Sequence, residues 1–116
     1  MNEEELALLH KALSVPVRLK ILKLIADRPL CVNAITRFLS ISQPAVSQHL
    51  AVLRQAGLVT GEKKGYMVHY TFNRNRFEDL QKSMGSFLHE ALEEATVRNR
   101  TPGQVKEGDE KEGCRS

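Results

Sequence analysis

No stretch of this sequence reaches the run of about 18 apolar residues that a membrane-spanning helix requires, so no transmembrane segment is expected. The opening MNEEELALL carries acids where a secretory signal carries bases. Cysteine is scarce: Cys31 and Cys114 stand far apart, the second in a polar tail. Such a pair makes no disulfide framework, and a reducing cytoplasm is the expected location. Paired carboxylates, a Ser/His/Asp set, a glycine-rich phosphate loop and a full set of metal ligands are all missing. These absences argue against an enzyme and in favour of a binding protein.

One more shortage is local. Between residues 11 and 76 only Asp27 and Glu62 are acidic, against eleven bases, so this block carries +9. The first ten residues carry −3, residues 77–97 carry −4 and residues 98–116 carry +1, which brings the whole chain back to +3. A basic middle between acidic ends suggests one face built for a polyanion and another held away from it. The 116 residues suit a single domain with a modest core, for which a partner subunit would add cover.

Apolar spacing divides the chain. Leu6, Leu9 and Leu13 mark a helix over residues 3–13, with acids in its first turn where the helix dipole favours them. Ser14 is placed to cap a second helix with Pro16 in its first turn and Val17, Ile21, Leu24 and Ile25 inward, ending near Asp27. A short third helix is expected from Cys31 to Leu39, with Val32, Ile35, Phe38 and Leu39 as its apolar set. After a tight turn at Ser40 and Ile41, Ser42 caps a fourth helix that buries Val46, Leu50 and Leu53 and stops at Gly57. The runs LVTGEKK and YMVHYTF, joined around Lys64 and Gly65, read as a β-hairpin, with Val68, Tyr70 and Phe72 on one face. From Asn73 a long helix carries the stripe Phe77, Leu80, Met84, Phe87, Leu88, Ala91 and Ala95. Residues 98–116 turn polar, with Gly, Pro, Lys and Glu, and are expected to form a flexible tail after a domain of residues 1–97.

A short helix, a tight turn, a longer helix and then a basic hairpin make a winged helix-turn-helix, mainly α with a two-stranded β wing. The stretch ISQPAVSQHLAVLRQAGLV holds the reading element. With Val46 at zero and about 100° per residue, Leu50 and Leu53 fall within about 40° of it. Pro44, Ser47, Gln48 and Ala51 fall between about 100° and 200° and point outward. Together with Ser42 and Gln43 they give a small, uncharged edge suited to a duplex groove, where Gln pairs with adenine and Ser bonds base edges or phosphate. His49 lies beside the core side and is expected to be packed and hydrogen-bonded. Lys63 and Lys64 at the wing tip are placed for phosphate contacts, which position without specifying. Tyr66 has two readings, a contact along the nucleic-acid backbone or a structural plug. A second reading has the same surface serve protein contact in a winged-helix module, but such modules usually lose the basic wing and the polar edge, and both are present here.

The stretches LSVPVRLKILKLI, ISQPAVSQHLAVLRQAGLV and KKGYMVHYTF, in that order, closely resemble the ArsR/SmtB family of bacterial and archaeal winged-helix repressors. The resemblance runs from about residue 6 to residue 95. It implies a homodimer paired through the first and last helices, double-stranded DNA as partner, an imperfect palindrome as operator, and release by an inducer. Leu6, Leu9, Leu80, Met84, Phe87, Leu88 and Ala91 are the expected dimer residues. Metalloid-sensing relatives carry ELCVCDL in the third helix. Here PLCVNAI keeps Cys31 but has Asn33 in the second place, and one thiolate is too few for a three-coordinate site. Zinc-sensing relatives pair His with Glu on the last helix, where this chain offers His89 with Leu92. No cofactor or metal is therefore expected, and the inducer is left unnamed. Cys31 reads either as a small buried hydrophobe or as a thiol sensor near a helix start, alone or with Cys114.

Overall fold

In the computed structural model, which describes residues 1–99, the chain turns helical at once because Asn2 caps it. The Asn2 side-chain oxygen accepts from the Glu5 N–H at 2.9 Å, opening α1 (Glu3–Ala12) with its three glutamates in the first turn. The second helix, α2 (Pro16–Asp27), starts on proline, whose missing N–H is no loss at that position. Its cap position is held by Val15, with no side-chain bond. Ser14, the expected cap, turns its hydroxyl back and donates to the Lys11 carbonyl at 2.7 Å. An orphan carbonyl at the end of α1 is the nearer acceptor, so the serine closes one helix instead of opening the next.

Two features depart from expectation between α2 and the next helix. Leu30–Cys31 forms a short strand, β1, so the third helix, α3 (Val32–Leu39), begins one residue later than expected. Ile35 is buried and Val32 and Leu39 pack partly against the core, but Phe38 is 57% exposed. At about 100° per residue, Phe38 lies about 60° to one side of Ile35 while Val32 and Leu39 lie to the other, and the core takes that other side. Ser40 ends α3 in the left-handed region at φ 56°.

Ser42 caps α4 (Gln43–Gln55) as expected, its Oγ accepting from the Ala45 N–H at 3.3 Å. Gly57 closes the helix at φ +78°. There the Gly57 N–H donates to the Arg54 carbonyl at 2.9 Å and the Leu58 N–H to the Leu53 carbonyl at 3.0 Å, which satisfies two orphan acceptors in a Schellman closure. The hairpin follows as β2 (Val59–Lys64) and β3 (Met67–Phe72), reversing through Gly65 and Tyr66 with Gly65 at φ +65°. The sheet has three strands, not two, in the order β1-β3-β2, all antiparallel, with Leu30 opposite Tyr70 and Cys31 opposite His69.

The long helix α5 (Arg74–Asn99) is introduced by Asn73. That one residue donates from Nδ2 to the Gly57 carbonyl at 2.8 Å and from its N–H to the Leu58 carbonyl at 3.0 Å. Its Oδ1 accepts from the Arg76 N–H at 3.3 Å. The Phe72 and Phe77 rings stack across this junction with centroids 4.1 Å apart.

Residues Met1–Gln81 make one compact unit and Lys82 begins another. The core of the first is built on Leu9, Ile21, Ile25, Ile35, Val46, Leu50, Leu53, Leu58 and Val59, all almost fully covered. Leu6, Leu9 and Leu80, assigned above to a subunit interface, lie in this same core at 9%, 0% and 8% exposure. Periodicity marks an apolar face without saying which chain covers it. In the second unit Met84 is half-buried, while Phe87, Leu88, Ala91 and Leu92 are exposed. The helix runs through Asn99, and the expected flexible tail beyond it lies outside the described residues, as does Cys114.

Candidate nucleic-acid interface

The helix α4 presents two unlike faces. Val46, Leu50 and Leu53 anchor it in the core, and Ser42, Gln43, Pro44, Ser47, Gln48 and Ala51 are all exposed on its other side. The outward edge expected from helical geometry is the edge that solvent reaches. No acid stands in the first turn, so the positive end of the helix dipole is left unneutralised, as suits an approaching phosphate. The Ser42 hydroxyl oxygen is used as an acceptor by the cap, which leaves its O–H free to donate outward.

The wing lies in the same compact unit. Lys63 and Lys64 are exposed on β2, and Tyr66, at 102% exposure, stands clear of the core and plugs nothing among the described residues. Of its two readings, the structure leaves the tyrosine available for contact. A two-residue turn with glycine first matches the twist of the strands, which holds the tip in line with the hairpin.

Between the helix and the wing the structure places Arg54 and Gln55, which had no assigned role, beside residues that did. A hollow of about 400 Å³ is lined by Ser47, Leu50, Ala51, Arg54, Gln55 and Tyr70. A Cβ at Gly61 would stand 3.4 Å from Arg54 Nη1, 3.4 Å from Tyr70 Cε1 and 3.1 Å from Val68 Cγ1. The Arg54 guanidinium thus lies against β2 at Gly61, at the root of the wing, where the tightest neighbour a side chain would meet is Val68. Gln55 falls at about 180° on the same angular scale, within the edge, and Arg54 at about 80°, just beside it, so carrying the edge one turn further along α4 would have found the first and met the second at its margin. The hollow offers a guanidinium, an amide and a hydroxyl, a donor set that fits a phosphate or a base edge.

His49, half-buried, is bonded into the body of the unit as expected: its Nδ1 accepts from Arg18 Nε at 3.2 Å. The thiol candidate Cys31 is half-buried at the cap position of α3, across from His69 on the sheet and apart from the helix edge and wing. His69 Nδ1 and Thr36 Oγ1 are buried with no hydrogen-bond partner among the described residues. His89 is exposed, with Nε2 4.0 Å from Glu93 Oε1. Among the described residues no group of three or more His, Cys, Asp or Glu is arranged to hold a metal ion, and no helix is long and apolar enough to cross a membrane.

Comparison with known proteins agrees with this geometry. The family described as bacterial regulatory protein, arsR family, matches residues 15–60, from the start of α2 to the first strand of the wing. The transcriptional repressor SdpR of Bacillus subtilis is 33% identical over 79 residues, covering 68% of this chain and 88% of that protein. The transcriptional activator HlyU of Vibrio cholerae is 38% identical over 88 residues, covering 76% of this chain and 78% of that protein. Among solved structures, an ArsR-like transcriptional regulator from Rhodococcus sp. RHA1 superposes with a TM-score of 0.75. That match covers 86% of this chain and 95% of the other at 23% identity, a likeness of fold.

Proposed function

The chain belongs to the arsR family of bacterial regulatory proteins, DNA-binding regulators of transcription, and from that premise we propose that it works in the cytoplasm as a homodimer on a near-palindromic operator, repressing until an inducer releases it. The observation that carries the reading is the acid-free, uncharged outer edge of α4 set beside an exposed basic wing. The edge reads bases, with Ser47 and Gln48 as its main readers and Ser42, Gln43 and Pro44 at the entry to the groove. Lys63, Lys64 and Arg54 hold phosphates, and Tyr66 lies along the backbone.

Pairing of two copies is supported by Phe87, Leu88 and Leu92, at 47%, 46% and 65% exposure. Three large apolar side chains on one stretch of helix need a partner to leave water. Leu8 on α1, 56% exposed, supports the same need at the other end of the chain. A two-fold pair would set its reading helices about 34–36 Å apart, one turn of duplex.

The test joins sedimentation with fluorescence anisotropy on duplexes enriched from a random pool. A dimer is expected, binding a two-fold sequence with a plot of log affinity against log salt of slope near −5, from about six neutralised phosphates. A monomer indifferent to duplex DNA in dilute buffer overturns the proposal.

A further inference from the structure

A second hollow, also of about 400 Å³, is lined from α1, α2 and α4 and meets the first at Gln55, which lines both. Leu8, Ala12, Val52 and Ala56 give it an apolar lining, and Lys11 and Arg18 bring two cations to it. None of its lining residues is acidic. Its volume lies toward the low end of small-molecule sites, which run from about 300 to 1,000 Å³.

The Arg18 side chain is the link between this hollow and the reading helix. Its Nε donates to His49 Nδ1 at 3.2 Å, and its Nη1 donates to the Lys11 and Ala12 carbonyls at 3.3 and 3.2 Å. Nη2 has no partner among the described residues. His49 follows directly on Gln48, so Arg18 ties the carboxyl end of α1 to the residue beside a base reader.

We propose that this hollow binds a small organic carboxylate with an apolar body, and that this is the inducer class of the regulator, a step that rests on the function proposed above. Apolar walls would cover the body, and Lys11 and Arg18 would hold the carboxylate. A bidentate grip takes two adjacent guanidinium N–H groups, and a carboxylate is a stronger acceptor than a carbonyl or a neutral imidazole. If the grip uses Nη2 with Nε, it releases His49. If it uses Nη2 with Nη1, it takes the Nη1 N–H that faces Nη2 and releases one α1 carbonyl. Either way the brace between α1 and α4 loses a bond, and its hold on the reading edge weakens.

The probe is octanoate, with octanol as its uncharged match, titrated into the whole protein by calorimetry with no DNA present. Saturable octanoate binding is expected, with octanol at least about tenfold weaker, the value of one charge-assisted contact. Lys11→Gln, at an exposed position, should weaken octanoate about tenfold, and Val52→Phe, which fills the hollow, should abolish it. In a second arm, saturating octanoate should lower the affinity for the enriched duplex in wild type and not in Val52→Phe. Equal binding of octanol, or octanoate binding indifferent to both substitutions, overturns the site. Octanoate binding that leaves DNA affinity unchanged overturns its role as inducer. A protein that binds octanoate but no duplex at all sinks the DNA reading and the inducer with it, while the site itself stands.

Discussion

Replacing Lys63 and Lys64 together by alanine isolates the wing. Both side chains are exposed and neither has an ion-pair partner among the described residues, so the substitution removes charge without disturbing the core. Each protomer offers three exposed cations at the interface, Lys63, Lys64 and Arg54. A dimer that places all of them on phosphates displaces counterions from about six, giving a slope near −5 in log affinity against log salt. Removing four lysines per dimer leaves about two phosphates and a slope near −2. Between 50 and 200 mM salt, wild type should then lose roughly a thousandfold in affinity and the variant only about tenfold. Anisotropy titrations at four or five salt concentrations measure this directly, with thermal unfolding as a check that the fold is intact. Since these contacts carry no base information, the ranking of operator variants should not change. A variant that folds normally and keeps the wild-type slope refutes the argument, because the wing would then touch no phosphate.

The other predictions probe different parts of the molecule. Gln48→Ala should cost about 1–3 kcal/mol on the preferred operator and little on random duplex; an equal loss on both, seen in competition titrations, would remove it from the readers. Leu50→Ala, at a position 1% exposed, should destabilise the protein by about 2–5 kcal/mol in urea unfolding. Glu at both Phe87 and Leu88 should shift sedimentation from dimer to monomer while leaving helix content by circular dichroism unchanged; a surviving dimer would place the interface elsewhere.

What the sequence discloses is mostly what is local. Ser42 and Gly57 bracket α4 correctly because a cap and a left-handed closure each depend on a few neighbouring residues. The outward edge followed from angle alone. The strand at Leu30–Cys31 was not legible, since two residues gain strand character only by pairing with Tyr70 and His69, some forty positions away. Ser14 misled because two helix ends compete for one hydroxyl. Phe38 misled because an eight-residue helix has apolar side chains on two flanks and the core needs one. Leu6, Leu9 and Leu80 fell on the expected faces, yet those faces turn inward. Arg54 entered the charge count without a place, which required knowing that β2 comes back alongside it at Gly61.

Asn73 fastens the chain leaving the hairpin to the chain entering it, through its bonds to the carbonyls of Gly57 and Leu58. The hairpin is thus a closed finger with a locked knuckle, seated on the end of the reading helix. Two residues inserted on each strand near Gly65 would preserve which side chains face which way and push the fingertip out by roughly 7 Å. The knuckle and the helix would stay where they are. A longer or shorter finger would therefore change how far the wing reaches while leaving the outer edge of α4 as it is.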